Sequence, residues 1–185
     1  MKIAIAQLNP TIGDLTGNAQ RILEAAHKAA SEGARLLLTP ELSLCGYPPR
    51  DLLMHPGFVA EMATTLEQLA KDLPVGLSAL VGTVVANPNQ HHGGKPLFNS
   101  TALLDGGTVQ QIFHKRLLPT YDVFDEDRYF EPGECPNHFF LGDEGGGMGD
   151  EMAASSPISH SSSLHIGATL CEDLWNDEEF RGKRS

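Results

Sequence analysis

The spacing of apolar residues divides the first half of the chain into alternating short strands and helices. KIAIAQL (2–8) alternates apolar and polar positions, the two-residue period of a half-buried strand. GNAQRILEAAHKAASEGA (17–34) returns apolar residues at helical spacing instead, at Ile22, Leu23, Ala26, Ala29 and Ala30. Gly33 supplies a stop, because glycine enters the left-handed backbone region that ends many helices. RLLLTP (35–40) predicts a short strand halted by Pro40. GFVAEMATTLEQLAKDL (57–73) predicts a second helix closed by Pro74, and GLSALVGTVVA (76–86) a buried strand.

After a polar loop, NPNQHHGGKP (87–96), the pattern turns to strands in series. LFNSTALLD (97–105) and TVQQIFHK (108–115) flank Gly106-Gly107, a hairpin signal. HFFL (138–141) and LHIGATL (164–170) predict two more strands. Helices that interleave with strands and then give way to them predict an α/β layered fold whose sheet contains antiparallel pairs. Residues 142–163, GDEGGGMGDEMAASSPISHSSS, hold Gly, Ser and Ala and almost no large apolar side chain. They predict a flexible surface insertion between two strands, with too little to bury to offset its ordering entropy. DEEFRGKRS (177–185) begins like a helix and stops, so the sequence predicts a fragment of a longer protein.

Composition narrows the function classes. At 185 residues the chain fits one domain with a real core. Thirteen Lys and Arg against 24 Asp and Glu give a net charge of -11 with no basic run, which argues against nucleic acid and anionic membrane surfaces as partners. No apolar stretch approaches the ~20 residues of a bilayer span. MKIAIAQLNP reads as a first strand rather than a signal peptide. Cys45, Cys135 and Cys171 lie far apart with no C-x-x-C pair, which suits a cytoplasmic protein without a disulfide framework. His91 and His92 sit in the polar loop with no further Cys or His at ligand spacing, so they read as exposed loop histidines and no metal is expected.

Three places set a reactive group at the end of an apolar strand. In LLLTPELSLCGYPPRD, Glu41 follows a buried strand and a proline, where a partly desolvated carboxylate can act as a general base or simply cap a turn. In QQIFHKRLLPTYDVFDEDRYFEPG, Lys115 ends a strand, where a cation can hold charge developing on a carbonyl oxygen or remain a solvated strand end. The following YDVFDEDRYF interleaves Tyr121, Phe124, Tyr129 and Phe130 with acids, as a wall for a small amine-bearing substrate or as core anchors in a charged loop. In LHIGATLCEDLWND, Cys171 is a candidate nucleophile, but Glu172 and Asp173 oppose its ionisation, so it needs Lys115 or a distant base. Cys45, in a Gly/Pro turn, and Cys135, between Glu and Pro, lack such a setting and read as structural thiols. Glu, Lys and Cys thus form a set with separate roles as base, oxyanion partner and nucleophile.

TPELSLCGYPPRDLL, FHKRLLPTYDVFDEDRYFEPG and IGATLCEDLWND resemble the carbon–nitrogen hydrolase (nitrilase) superfamily, over Met1 to about Asp177 apart from the insertion. The resemblance implies a four-layer α-β-β-α sandwich and a Glu–Lys–Cys triad. Within the superfamily, GYPPRDLL, YDVFDEDRYFEPG and CEDLWND look most like the N-terminal glutaminase domain of the glutamine-dependent NAD synthetases. That likeness implies Glu41 as general base, Lys115 as stabiliser of the tetrahedral intermediate and Cys171 as nucleophile. It further implies that Tyr121, Tyr47 and Phe124 line a glutamine pocket, that Glu126 supports Lys115, and that the N–H of Glu172 faces the oxyanion. The implied partners are L-glutamine, a synthetase domain of the same parent chain that uses ATP and Mg, and further copies in a homo-oligomer. No S-G-G-x-D-S pyrophosphate loop occurs in the 185 residues, so the synthetase domain is expected to be absent here; the resemblance implies further strands and helices past the cysteine, so the hydrolase domain is expected to be incomplete. A stand-alone amidase or carbamoylase of the superfamily, and a non-catalytic interaction module, are the alternatives.

Overall fold

The computed structural model describes residues 1–121, 124–142 and 163–174. Helix α1 (Leu15–Ser31) starts where Asp14 accepts a hydrogen bond from the Gly17 N–H at 2.9 Å, satisfying one of the free donors of the first turn. It ends at Gly33, whose φ of +78° lets the Gly33 and Ala34 N–H groups return to the carbonyls of Ala30 and Ala29, both at 2.9 Å. Helix α2 (Pro56–Asp72) has proline at its first position, where no N–H is required.

Five strands form one sheet in chain order: β1 (Ile3–Ile5), β2 (Leu36–Leu38), β3 (Ser78–Ala86), β4 (Leu97–Asp105) and β5 (Thr108–His114). The first two pairings are parallel, with α1 and α2 as the crossovers, and the last two are antiparallel. The turn between β4 and β5 is Gly106-Gly107, both at positive φ, as a tight hairpin requires. A second sheet pairs β6 (His138–Gly142) antiparallel to β7 (Ser163–Gly167).

Alternation along the strands builds two cores. Leu37, Ala79, Val81, Ala102 and Leu104 pack with Ile22 and Ala26 of α1 and Met62, Leu66 and Leu69 of α2. The intervening positions Leu36, Leu80 and Leu103 join Phe113 against Phe139 and Leu141 of β6. Helices, five-stranded sheet and second sheet are three layers of the expected sandwich; an outer helical layer does not occur among the described residues. The helix predicted after Asp177 lies outside them, and so does the insertion over 142–163 except for its ends. Gly142 and Ser163 form the last rung of the β6–β7 pair.

Two strand predictions are corrected. The first strand covers only Ile3–Ile5, because its partner β2 is three residues long. The strand expected to run from Leu164 to Leu170 stops at Gly167 and is largely exposed rather than buried. Its ladder gains one further bond, from the Ala168 N–H to the Asn137 carbonyl at 2.9 Å. The Leu170 N–H then turns to the Asp173 side chain at 3.2 Å, which bends the chain out of the sheet. His91 is exposed in a short 3-10 turn over Gln90–His92.

Candidate active site

Glu41 is held by a loop that lies directly on β3. The Thr39 N–H donates to the Leu80 carbonyl at 3.1 Å, and the Leu44 N–H to the Gly82 carbonyl at 3.0 Å. Gly82 is required for this approach: a Cβ there would sit 2.4 Å from the Leu42 nitrogen and the Pro40 oxygen. Leu42, next to Glu41, has a φ of +49°, a region non-glycine residues seldom adopt.

Lys115 follows β5 and its side chain is fully buried (0% exposed). Its Nζ donates to Glu41 Oε1 at 2.7 Å and to both oxygens of Glu126, at 3.0 and 2.9 Å. Burial opposes the charge of Lys115, but the two carboxylates outweigh it and hold the ammonium above its ordinary range. Glu126, buried in a short 3-10 turn, also accepts from Tyr47 Oη at 2.8 Å and from Asn99 Nδ2 at 3.3 Å. Burial and the neighbouring charge of Glu41 push Glu126 up, while Lys115 and Tyr47 pull it back. Burial and Glu126 together raise the Tyr47 phenol.

Cys171 opens a 3-10 turn, Cys171–Leu174, with a φ of +45°. It is not a strand end, and the residue is exposed. Its thiol is nonetheless pushed up to about 11, by desolvation first and then by the charge of Glu41, against the opposing pull of Lys115. The base and cation predicted from distant parts of the sequence therefore both act on this sulfur. Lys115 and Glu41 touch each other directly, and Cys171 lies within their field.

The aromatic residues separate into two groups. Tyr129 and Phe130 are buried core anchors. Tyr47, Phe124 and Tyr121 form a continuous row, with ring centroids 6.3 and 5.5 Å apart. The row runs from Glu126, bonded to Tyr47, to the buried Glu172, which accepts from Tyr121 Oη at 3.0 Å. A cavity of about 210 Å³ is lined by Tyr47, Asp51, Glu126 and Tyr129 and by neither of the other two rings of the row. Glu41, Lys115 and Cys171 are not on its wall, so it is not where the three groups converge. Cys45 is buried as expected, its thiol pushed up to about 12 by burial, whereas Cys135 is exposed and packs into no core.

Two residues of the site escape sequence reasoning. Asp173, read there only as a charge hostile to a thiolate, accepts from the N–H groups of Arg116 and Leu117 at 3.0 and 2.8 Å. It thereby ties the Cys171 turn to the segment that follows Lys115. Asn99 on β4 joins Glu41 to Glu126, donating to Glu41 Oε1 at 2.7 Å. The available signal was a polar run, Asn99-Ser100-Thr101, inside the strand LFNSTALL.

A buried lysine held between two glutamates, with a cysteine on a turn within their field, sits here in an α/β layered fold. The chain belongs to the carbon–nitrogen hydrolase family, whose model matches residues 2–182. It is 48% identical over 183 residues to a glutamine-dependent NAD(+) synthetase of Synechocystis, covering 98% of this chain and 29% of that protein. A glutamine-dependent NAD(+) synthetase of Thermotoga maritima is 33% identical over 97% of this chain and 27% of its own length. The chain thus spans under a third of the length of these relatives. Among solved structures, the glutamine-dependent NAD+ synthetase of Acinetobacter baumannii superposes with a TM-score of 0.73 at 30% identity, over 98% of this chain and 29% of its own. An amidase of the nitrilase superfamily from Nesterenkonia gives a TM-score of 0.61 at 28% identity, over 76% of this chain and 51% of its own.

Proposed function

We propose that this chain is the glutaminase part of a glutamine-dependent NAD synthetase. It hydrolyses the side-chain amide of L-glutamine and supplies ammonia for the ATP-dependent amidation of deamido-NAD. The observation that carries this reading is the convergence of Glu41, Lys115 and Glu126 on the field of the Cys171 thiol. A thiol raised to about 11 is neutral at rest, so it reacts by giving its proton to a base during attack rather than as a standing thiolate. Glu41 takes the proton as the sulfur bonds to the amide carbon. Lys115 and the N–H of Glu172 hold the oxyanion. Glu41 returns the proton to the departing nitrogen, and ammonia leaves. It then takes a proton from water, which opens the thioester to glutamate and restores the thiol. Tyr47, Phe124 and Tyr121 line the glutamine, with the carboxylate of Glu172 behind them.

ATP and Mg²⁺ serve the amidation. Two carboxylates to one buried cation do not suit a triphosphate, so no step at this site uses them. The synthetase part of the parent chain receives the ammonia, in a cytoplasmic homo-oligomer. A stand-alone amidase is the second reading, favoured by the likeness to the Nesterenkonia enzyme, which spans less of this chain. In the intact polypeptide, Cys171→Ala is expected to abolish glutamine-dependent NAD formation and to spare formation from added ammonia. Retention of the glutamine-dependent activity overturns the assignment, and absence of NAD formation from ammonia in the wild-type protein favours the amidase.

A further inference from the structure

We propose that Asn99 is a positioning residue that selects which oxygen of Glu41 acts as the base. The geometry stands on its own; its catalytic consequence rests on the amide hydrolysis proposed above. Asn99 is 1% exposed, and its carbonyl accepts the Lys115 N–H at 2.8 Å, so the two residues are locked together across β4 and β5. Its Nδ2 carries two hydrogens and faces two carboxylates, Glu41 Oε1 at 2.7 Å and Glu126 Oε2 at 3.3 Å. Charge fixes this orientation of the amide. The reverse would set Oδ1 against both carboxylates. Asn99 Oδ1 is instead left buried with no partner among the described residues, a cost that the two charge-assisted contacts offset.

The consequence falls on Glu41. Its Oε1 accepts from both Lys115 Nζ and Asn99 Nδ2, each at 2.7 Å, and is saturated. Oε2 is the more basic oxygen and the one that takes the thiol proton. Two carboxylates share one cation here, and the Asn99 amide directs a further dipole at both of them. Both of its amide hydrogens are committed to carboxylates, so Asn99 offers no donor to a substrate.

The test uses Asn99→Leu and Asn99→Asp in the intact polypeptide, each checked for folding by circular dichroism. Glutamine hydrolysis is measured across pH, and Cys171 alkylation by iodoacetamide is measured alongside. Asn99→Leu is expected to lower kcat about 10- to 100-fold and leave KM for glutamine within about twofold. The acid limb of its rate profile moves to higher pH, because a lost donor favours the protonated base. Asn99→Asp keeps the shape and adds a negative charge, so it slows hydrolysis further and also slows Cys171 alkylation. A folded Asn99→Leu with wild-type kcat and an unmoved acid limb overturns the proposal, as does a rise in KM at constant kcat. If Asn99→Leu does not fold, Asn99→Asp decides by the same rates. If the wild-type protein hydrolyses no glutamine, the functional assignment fails, while unslowed alkylation in Asn99→Asp still separately refutes the role of Asn99.

Discussion

Replacing Glu41 with glutamine is expected to make Cys171 more reactive towards a simple electrophile while ending its amide hydrolysis. The structure sets the magnitude. The thiol stands at about 11 against an ordinary 9.0, and the charge of Glu41 is the second cause after desolvation. Glu41→Gln removes that charge, leaves the burial, and frees Lys115 from one of its two carboxylates. The thiol value in the variant therefore falls from about 11 towards 9. Each unit gained multiplies the thiolate present at a fixed lower pH tenfold. At pH 8 about one thiol in a thousand is ionised in the wild type, and we expect about ten times more in the variant. Iodoacetamide, which reads thiolate, should label Cys171 about tenfold faster at that pH. Glutamine hydrolysis should fall by ~100-fold or more, since no base remains to take the proton. Labelling that slows in Glu41→Gln refutes the reasoning, because it would mean that Glu41 ionises the resting thiol instead of opposing its ionisation.

Three further outcomes follow from neighbouring contacts. Gly82→Ala puts a methyl 2.4 Å from Leu42 N and Pro40 O, so the Glu41 loop must move; a stability loss of about 1–3 kcal/mol in thermal melts should accompany a larger fall in hydrolysis. Asp173→Ala removes the acceptor of three backbone N–H groups and should cost about 1.5–3 kcal/mol, with faster amide exchange at Arg116, Leu117 and Leu170; unchanged exchange there contradicts the tether. Glu126 binds its proton more tightly when folded, so its contribution is most favourable below its ordinary 4.5 and is lost as pH rises through the higher folded value. Glu126→Gln should flatten that part of the stability–pH curve in denaturant titrations from pH 4 upward, and an unaltered curve would contradict the raised Glu126.

The local periodicities were sufficient for most elements. Helical spacing places α1 and α2 to within three residues, and LFNSTALLD coincides with β4. These elements are legible because the signal lies within one segment: apolar spacing, a capping Asp14, a stopping Gly33, a glycine pair at the hairpin. Glu41, Lys115 and Cys171 were also visible, each as a reactive type at the end of an apolar run. The weakest prediction was the strand before Cys171. Its end is decided by Asp173, whose partners Arg116 and Leu117 lie more than fifty residues away.

The sequence by itself determined the layered α/β plan, the order of the elements and the three reactive groups proposed to do the chemistry. Only the tertiary structure decided their electrostatics. Glu126 and Asn99 gain meaning because β4, β5 and two loops bring a second carboxylate and an amide to one buried ammonium. The acids after Cys171 changed role for the same reason: Asp173 faces backbone donors and Glu172 faces Tyr121. Charge interactions act through space and deepen with burial, and neither quantity is written in the order of residues along a chain.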